Sequence, residues 1–116
     1  MAPEVARLGH VALETPDLEE SLTFFRDIAG LEEVERVGGT SYLRAVDEYD
    51  HHSLSLTQSE SAGVDHIGWQ TAQPEHVDAY SERLEQLGID VTRVDAGTEP
   101  GQGEAIRFEA PHGHQF

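Results

Sequence analysis

The sequence predicts an α+β fold in which two units follow one another, each with the order strand, helix, strand, strand, strand. One histidine stands inside an apolar strand pattern twice, at His10 and at His66. A glycine that would end a helix recurs at matching places, Gly30 and Gly88. The repeat is therefore about 56 residues long. Neither unit could cover its own sheet, so we expect the two to pair in one cupped mixed sheet with a truncated last strand.

We expect the first unit over residues 6–58 and the second over residues 64–116, with a small polar junction between them. In the first unit, a strand at 7–15 leads into a helix capped by Thr15 or Asp17. The apolar stripe of that helix follows helical spacing and consists of Leu18, Leu22, Phe25 and Ile28. Three further strands are predicted at 32–37, 40–46 and 52–57, the first two joined by a Gly-Gly hairpin turn.

The second unit repeats this order with a strand at 64–71 and a helix that begins at Pro74 and ends at Gly88. Its predicted buried stripe consists of Val77, Tyr80, Leu84 and Leu87. Later strands are predicted to begin at Ile89, Ala105 and His114. Together the two units would form a single domain, which suits a chain of 116 residues.

The charge balance is strongly acidic. Asp and Glu total 23 against 7 basic residues, all of them Arg, for a formal net charge of -16. In dilute buffer the many negatively charged side chains repel one another, and molar salt screens that repulsion. The surface resembles those of proteins from extreme halophiles. Because the chain cannot replace phosphate counterions, nucleic acid is excluded as a partner.

Two features that the sequence lacks exclude further classes of function. There is no Cys, which excludes disulfides, thiolate metal sites and a cysteine nucleophile. No apolar run approaches the roughly 18 residues of a membrane span, and the first residues are neither basic nor apolar as a signal peptide requires. We therefore expect a cytoplasmic protein with no membrane partner.

Five segments carry a family resemblance: residues 9–13, 42–45, 50–56, 64–69 and 107–116. With one His in the first strand of each βαβββ unit, they resemble the vicinal oxygen chelate superfamily, which has the glyoxalase-like fold. Within it they are similar to the N-terminal domain of type I extradiol dioxygenases, the catechol 2,3-dioxygenase or metapyrocatechase group. The resemblance covers nearly the whole chain.

That resemblance implies that the chain is the N-terminal domain of a longer enzyme, which opens catechol rings with Fe(II) and O2. This part would be mainly structural. Members hold the metal with a His on the first strand, a His on the fifth and a Glu on the eighth. His10 and His66 match the first two positions and are the candidate metal ligands, while the Glu would fall just past Phe116. The family's first domain generally carries no metal, so binding by this chain stays open.

Other interpretations stay open as well. The chain could be a stand-alone dimeric metal-dependent protein of the glyoxalase or antibiotic-resistance type, using His10, His66 and a Glu just past Phe116. A metal-free ligand-binding module is a third, weaker alternative. The expected partners are a small aromatic diol, O2, and a second domain or a second copy that covers the exposed sheet edge.

The remaining polar and aromatic candidates have simpler interpretations. His51 and His52 are adjacent, so on a strand they would face opposite sides and could not share a metal. His76 is expected on the polar side of its helix, and core packing is the expected role of Tyr42 and Trp69. Solvent-exposed positions are expected for His112, His114, Glu32, Glu33 and Glu35.

Overall fold

A computed structural model describes residues 2–116. In chain order its elements are β1 (Val5–Thr15), α1 (Leu18–Leu22), a π-helix (Thr23–Ile28), β2 (Glu32–Val37), β3 (Thr40–Arg44), β4 (Leu54–Gln58), β5 (Gly63–Thr71), α2 (His76–Gln86), β6 (Val91–Val94), β7 (Ala105–Phe108) and a 3₁₀ turn (Pro111–Gly113). The predicted order strand, helix, strand, strand, strand is present in full for the first unit.

Five strands form one mixed sheet in the order β2-β3-β4-β1-β5. β1 and β4 run parallel, whereas β3 pairs antiparallel with both β2 and β4. The predicted α+β fold with a mixed sheet is therefore confirmed. β6 and β7 form a separate antiparallel pair, which aligns Val91 with Phe108.

The alternation of side chains along the strands decides which face of the sheet carries the core. Leu43 aligns with Leu54, and Leu13 aligns with Leu56, so these leucines share one face. The α1 residues Leu18 and Leu22 pack with Leu43 and Leu56 in one buried cluster. The next residue along each strand, such as Tyr42, faces the other way, and that opposite face carries the histidines described below.

The first helix begins as predicted, but its second half departs from α-helical geometry. The Asp17 carboxylate caps it by accepting from the Glu20 N–H at 3.0 Å. From Thr23 the helix is wound as a π-helix, in which the Ala29 N–H donates to the Phe24 carbonyl five residues back. The wider turn rotates Ile28 off the apolar stripe, and its side chain is 72% exposed. The prediction of Ile28 in the stripe is wrong for that reason.

The connection between β3 and β4 is longer than the sequence suggests. β3 ends at Arg44 and β4 begins at Leu54, so His51 and His52 lie in a loop rather than on a strand. The Glu48 carboxylate holds this loop, since it accepts from the Ala45 N–H and from the Ser53 hydroxyl.

The second helix, α2, buries one histidine that the sequence placed on its polar side. His76 is 5% exposed, and its Nδ1 accepts from the Glu4 N–H at 3.2 Å. Nearby, the Tyr80 hydroxyl donates to the Pro3 carbonyl. The prediction for His76 is therefore wrong, because the N-terminal segment packs on this side of the helix. Leu87 lies just past the helix end and is exposed, contrary to the predicted stripe.

The final residues fold back on β7. Phe116 and Phe108 exchange two backbone hydrogen bonds, at 3.0 and 3.1 Å. The predicted turn between them is the 3₁₀ turn, where His112 adopts a positive φ of 73°. The predicted strand from His114 is present as a short bridge between Glu109 and Gln115.

The chain divides into two compact units, one of His10–Ile67 and one that joins the residues up to Gly9 with Gly68–Phe116. β1 and β5 each contribute residues to both units. None of the helices found in residues 2–116 combines the length and the apolar character that crossing a bilayer requires.

Candidate functional site

Two of the predicted site residues, His10 and His66, come together within the unit His10–Ile67. Their Nε2 atoms lie 2.9 Å apart, and their rings meet edge to face. His66 is 7% exposed and His10 is half-buried. The contact arises because β1 and β5 are neighbouring strands of the sheet.

The tautomer of His66 is fixed by a residue that the sequence interpretation overlooked, Asp65. The Asp65 carboxylate lies 2.7 Å from His66 Nδ1 and accepts its proton. A neutral His66 held in this way carries its lone pair on Nε2, facing His10. The adjacent Asp-His pair in β5 was the available signal, although neighbouring strand residues point to opposite faces.

The donor set is suited to a divalent metal ion. Nitrogen ligands at about 2.1 Å from an ion and at roughly a right angle stand about 3 Å apart. The Nε2 atoms of His10 and His66 have that separation. A carboxylate that orients the far nitrogen of a ligating imidazole is the usual support of such sites, and Asp65 holds that position. The pair thus has the nitrogen spacing expected of two of the three ligands that the family resemblance implies.

A second pair of imidazoles lies beside the first. His51 Nδ1 and His52 Nδ1 are 3.0 Å apart, and the ring centroids of His52 and His10 are separated by 5.3 Å. The expectation that His51 and His52 point to opposite sides is wrong, because the loop that carries them lacks strand geometry. The other side of His51 is held by Glu35, whose carboxylate lies 2.9 Å from Nε2.

Tyr42 packs against both rings of this second pair. Its ring centroid lies 4.7 Å from that of His52 and 6.0 Å from that of His51. Tyr42 is buried, so its predicted packing role is confirmed, whereas Trp69 is 52% exposed and is not a core residue. His112 and His114 are exposed, as predicted.

The acidic run of β2 is not uniformly solvated, contrary to expectation. Glu33 accepts hydrogen bonds from Arg36 at 2.9 Å and from the buried Ser41 hydroxyl at 2.5 Å. The Arg36 hydrogen bond is the main cause that holds the pKa of Glu33 below its usual range. The Ser41 hydrogen bond and the charges of Arg36 and Arg26 act in the same direction, while burial opposes them. Glu32 and Glu35 are exposed, as predicted.

Residues 64–116 match the family model of the catechol 2,3-dioxygenase-like N-terminal domain. All 116 residues align at 52% identity with a manganese-dependent 2,3-dihydroxybiphenyl 1,2-dioxygenase of Geobacillus genomosp. 3, of which they cover 37%. The chain therefore resembles the catechol 2,3-dioxygenase-like N-terminal domain. The resemblance found in the sequence is thereby confirmed.

The structural comparison agrees with this assignment. The 2,3-dioxygenase LapB of Pseudomonas sp. KL28 superposes with a TM-score of 0.93 at 32% identity, over 99% of this chain and 40% of LapB. A fosfomycin resistance protein, FosX of Listeria monocytogenes, is 26% identical over 97% of this chain and 87% of its own length. The chain thus spans little more than a third of the length of its dioxygenase relatives and corresponds to their N-terminal part.

Proposed function

We propose that the chain is the N-terminal domain of an extradiol dioxygenase, in which the whole protein opens a catechol-type ring with O2 beside its two hydroxyl groups. The observation that carries this proposal is the 52% identity over all 116 residues with an enzyme named for the 1,2-cleavage of 2,3-dihydroxybiphenyl. The proposed substrates are therefore small aromatic diols. The whole protein is proposed to be an oxidoreductase that acts in aromatic catabolism.

We further propose that residues 1–116 form a single domain and that its part in the enzyme is mainly structural. β5 ends the five-stranded sheet, and among the described residues β1 is its one neighbour in that sheet. Its free edge can accept another strand, either from a second domain or from a second copy in a dimer. This edge supports both arrangements equally.

His10 and His66 are the proposed metal ligands of this chain. Support comes from their 2.9 Å separation and from the carboxylate of Asp65 behind His66. Fe(II) is the proposed ion for the full-length enzyme, and Mn(II) is the alternative suggested by the name of one relative. In the full-length enzyme, two His and one carboxylate outside residues 1–116 would hold the catalytic ion and leave open positions for a catecholate and O2.

A second candidate function is favoured by one observation. The match with FosX covers 87% of that fosfomycin resistance protein, so a chain of about this size can be nearly the whole of such a protein. In that case the protein is a stand-alone dimer, and His10 and His66 act with a Glu just past Phe116. The 26% identity makes this the weaker candidate.

The proposed setting is the cytoplasm of a halophilic cell. The net charge of -16 and the absence of Lys support the halophilic part. The absence of Cys is consistent with a reducing compartment.

The decisive experiment measures both activity and metal content. The full gene product is prepared without metal, loaded with Fe(II) or Mn(II) under anaerobic conditions, and assayed for O2 uptake with 2,3-dihydroxybiphenyl and catechol. We expect O2 uptake that depends on the diol, with formation of a ring-opened product. Absence of diol-dependent O2 uptake with either metal refutes the dioxygenase proposal. Retention of all bound metal in a His10→Ala/His66→Ala variant refutes the ligand assignment and leaves the purely structural role.

A further inference from the structure

His51 and His52 resemble the His10–His66 pair in one chemically specific way. In each pair, two imidazole nitrogens face each other at about 3 Å, and a carboxylate holds the far nitrogen of one ring. We propose that His51 and His52 form a second divalent-metal site, separate from the ligand pair assigned to the proposed function. The site would take an ion that prefers imidazole ligands.

The carboxylate of Glu35 decides which nitrogen of His51 can bind. It lies 2.9 Å from His51 Nε2 and accepts the proton there. A neutral His51 held in this way has its lone pair on Nδ1, and this atom faces His52 Nδ1 at 3.0 Å. That separation fits two cis ligands at about 2.1 Å from one ion.

Packing limits the freedom of both rings. His52 is 6% exposed, and Tyr42 lies against it with ring centroids 4.7 Å apart. His51 is half-buried and is held between Tyr42 and Glu35. Ligands that are already ordered lose little side-chain entropy when an ion binds. The partly open side of His51 leaves room for water to complete the coordination.

The chemistry of the donors selects the class of ion. Neutral imidazoles suit Ni²⁺, Cu²⁺ and Zn²⁺ better than Mg²⁺ or Ca²⁺, which prefer oxygen ligands. The acidic surface, with a formal net charge of -16, raises the local concentration of any cation. Glu35 would support His51 without coordinating the ion itself, so it is a positioning residue.

The test uses Ni²⁺ alone as the probe. Metal-free protein is titrated by isothermal calorimetry, and the ions retained after gel filtration are counted by mass spectrometry. The variants are His51→Ala, His10→Ala and the double variant, with His112→Ala as the control because His112 is exposed and lies far along the chain. Circular dichroism verifies that each variant is folded.

We expect two Ni²⁺ ions per chain in the wild type and in His112→Ala. One ion should remain in each single variant and none in the double variant. Glu35→Ala should keep the stoichiometry but weaken one site by about 10- to 100-fold. A wild type that binds no ion, or a His51→Ala variant that keeps every ion that the wild type binds, overturns the second site. Loss of an ion in His51→Ala but not in His10→Ala supports it while contradicting the ligand assignment of the proposed function.

Discussion

His10 Nε2 and His66 Nε2 lie 2.9 Å apart although 56 residues separate them in the chain. The two residues occupy matching places in the repeat, one on β1 and the other on β5. Adjacent strands of a sheet are only about 4.8 Å apart, so side chains from two such strands can reach each other. The duplication of a single strand-borne histidine therefore creates a paired nitrogen site without any further sequence motif.

Asp65 should strengthen metal binding by this pair without touching the ion. Its carboxylate accepts the His66 Nδ1 proton at 2.7 Å and thereby keeps the lone pair on Nε2. We expect Asp65→Ala to weaken Ni²⁺ binding at the His10–His66 pair by about 10- to 100-fold. Calorimetric titration in a His51→Ala background measures this pair alone.

The control for this prediction is Asp90→Ala, which removes the same charge from an exposed position. Since both variants change the net charge equally, a general electrostatic effect would weaken binding to the same degree in each. Equal affinities in the two variants would contradict an orienting role for Asp65.

The fold was predictable where apolar periodicity is regular. Leu18 and Leu22 were placed correctly because the first turns of their helix are α-helical and the Asp17 cap fixes where it starts. Ile28 was misplaced because a π-helix changes the number of residues per turn, and nothing in side-chain type marks that change. His76 was misplaced because its burial depends on the N-terminal segment, which is distant in sequence.

Leu22 and Ile28 belong to the same predicted apolar stripe, but only Leu22 is buried, so substituting each should affect stability differently. Leu22 is fully buried in the cluster with Leu43, whereas Ile28 is 72% exposed. We expect Leu22→Ala to lower the free energy of unfolding by about 2–5 kcal/mol. Ile28→Ala should change it by roughly 0.5 kcal/mol or less. Urea unfolding followed by circular dichroism compares the two, and a large loss for Ile28→Ala would contradict the exposed position.

Glu33 should make the stability of the protein depend on acid pH. Its pKa in the folded protein is lowered chiefly by the hydrogen bond from Arg36, so folding favours the charged carboxylate. The stabilisation is therefore complete above the ordinary Glu pKa of about 4.3 and is lost as the pH falls below it. We expect Glu33→Gln to cost about 1 kcal/mol at neutral pH and progressively less in acid.

The measurement for Glu33 is urea unfolding of both proteins from pH 7 down to pH 3. Glu32→Gln is the matched control, because Glu32 is its exposed neighbour on the same strand. A stability difference between wild type and Glu33→Gln that stays constant across this range would show that lost packing, rather than the charge of Glu33, is responsible.

The candidate site was predictable in part. His10 and His66 follow from the repeat, because the strand pattern and the spacing are both local features of the sequence. His52 was predicted at the start of a strand and His51 was treated as its neighbour in strand geometry, and that error reversed the inference about whether the two can meet. Glu35 carried no recognisable signal and Asp65 only its place next to His66, because acidic residues are abundant throughout this chain and only geometry shows which of them face an imidazole.

The strongly acidic surface should make the thermal stability of the protein depend on salt concentration. With a formal net charge of -16, the folded chain brings like charges closer together than the unfolded chain does. Raising KCl from about 0.1 M to about 1 M shortens the Debye length from roughly 10 Å to roughly 3 Å. We expect Tm to rise by roughly 5–10 °C, which corresponds to about 1–2 kcal/mol for a domain of this size.

Neutralising two exposed carboxylates in a Glu60→Gln/Asp90→Asn variant should make the salt dependence of Tm shallower, since the repulsion to be screened is smaller. A Tm that falls or stays constant with added KCl would show that ion pairs such as Arg36–Glu19 outweigh the repulsion.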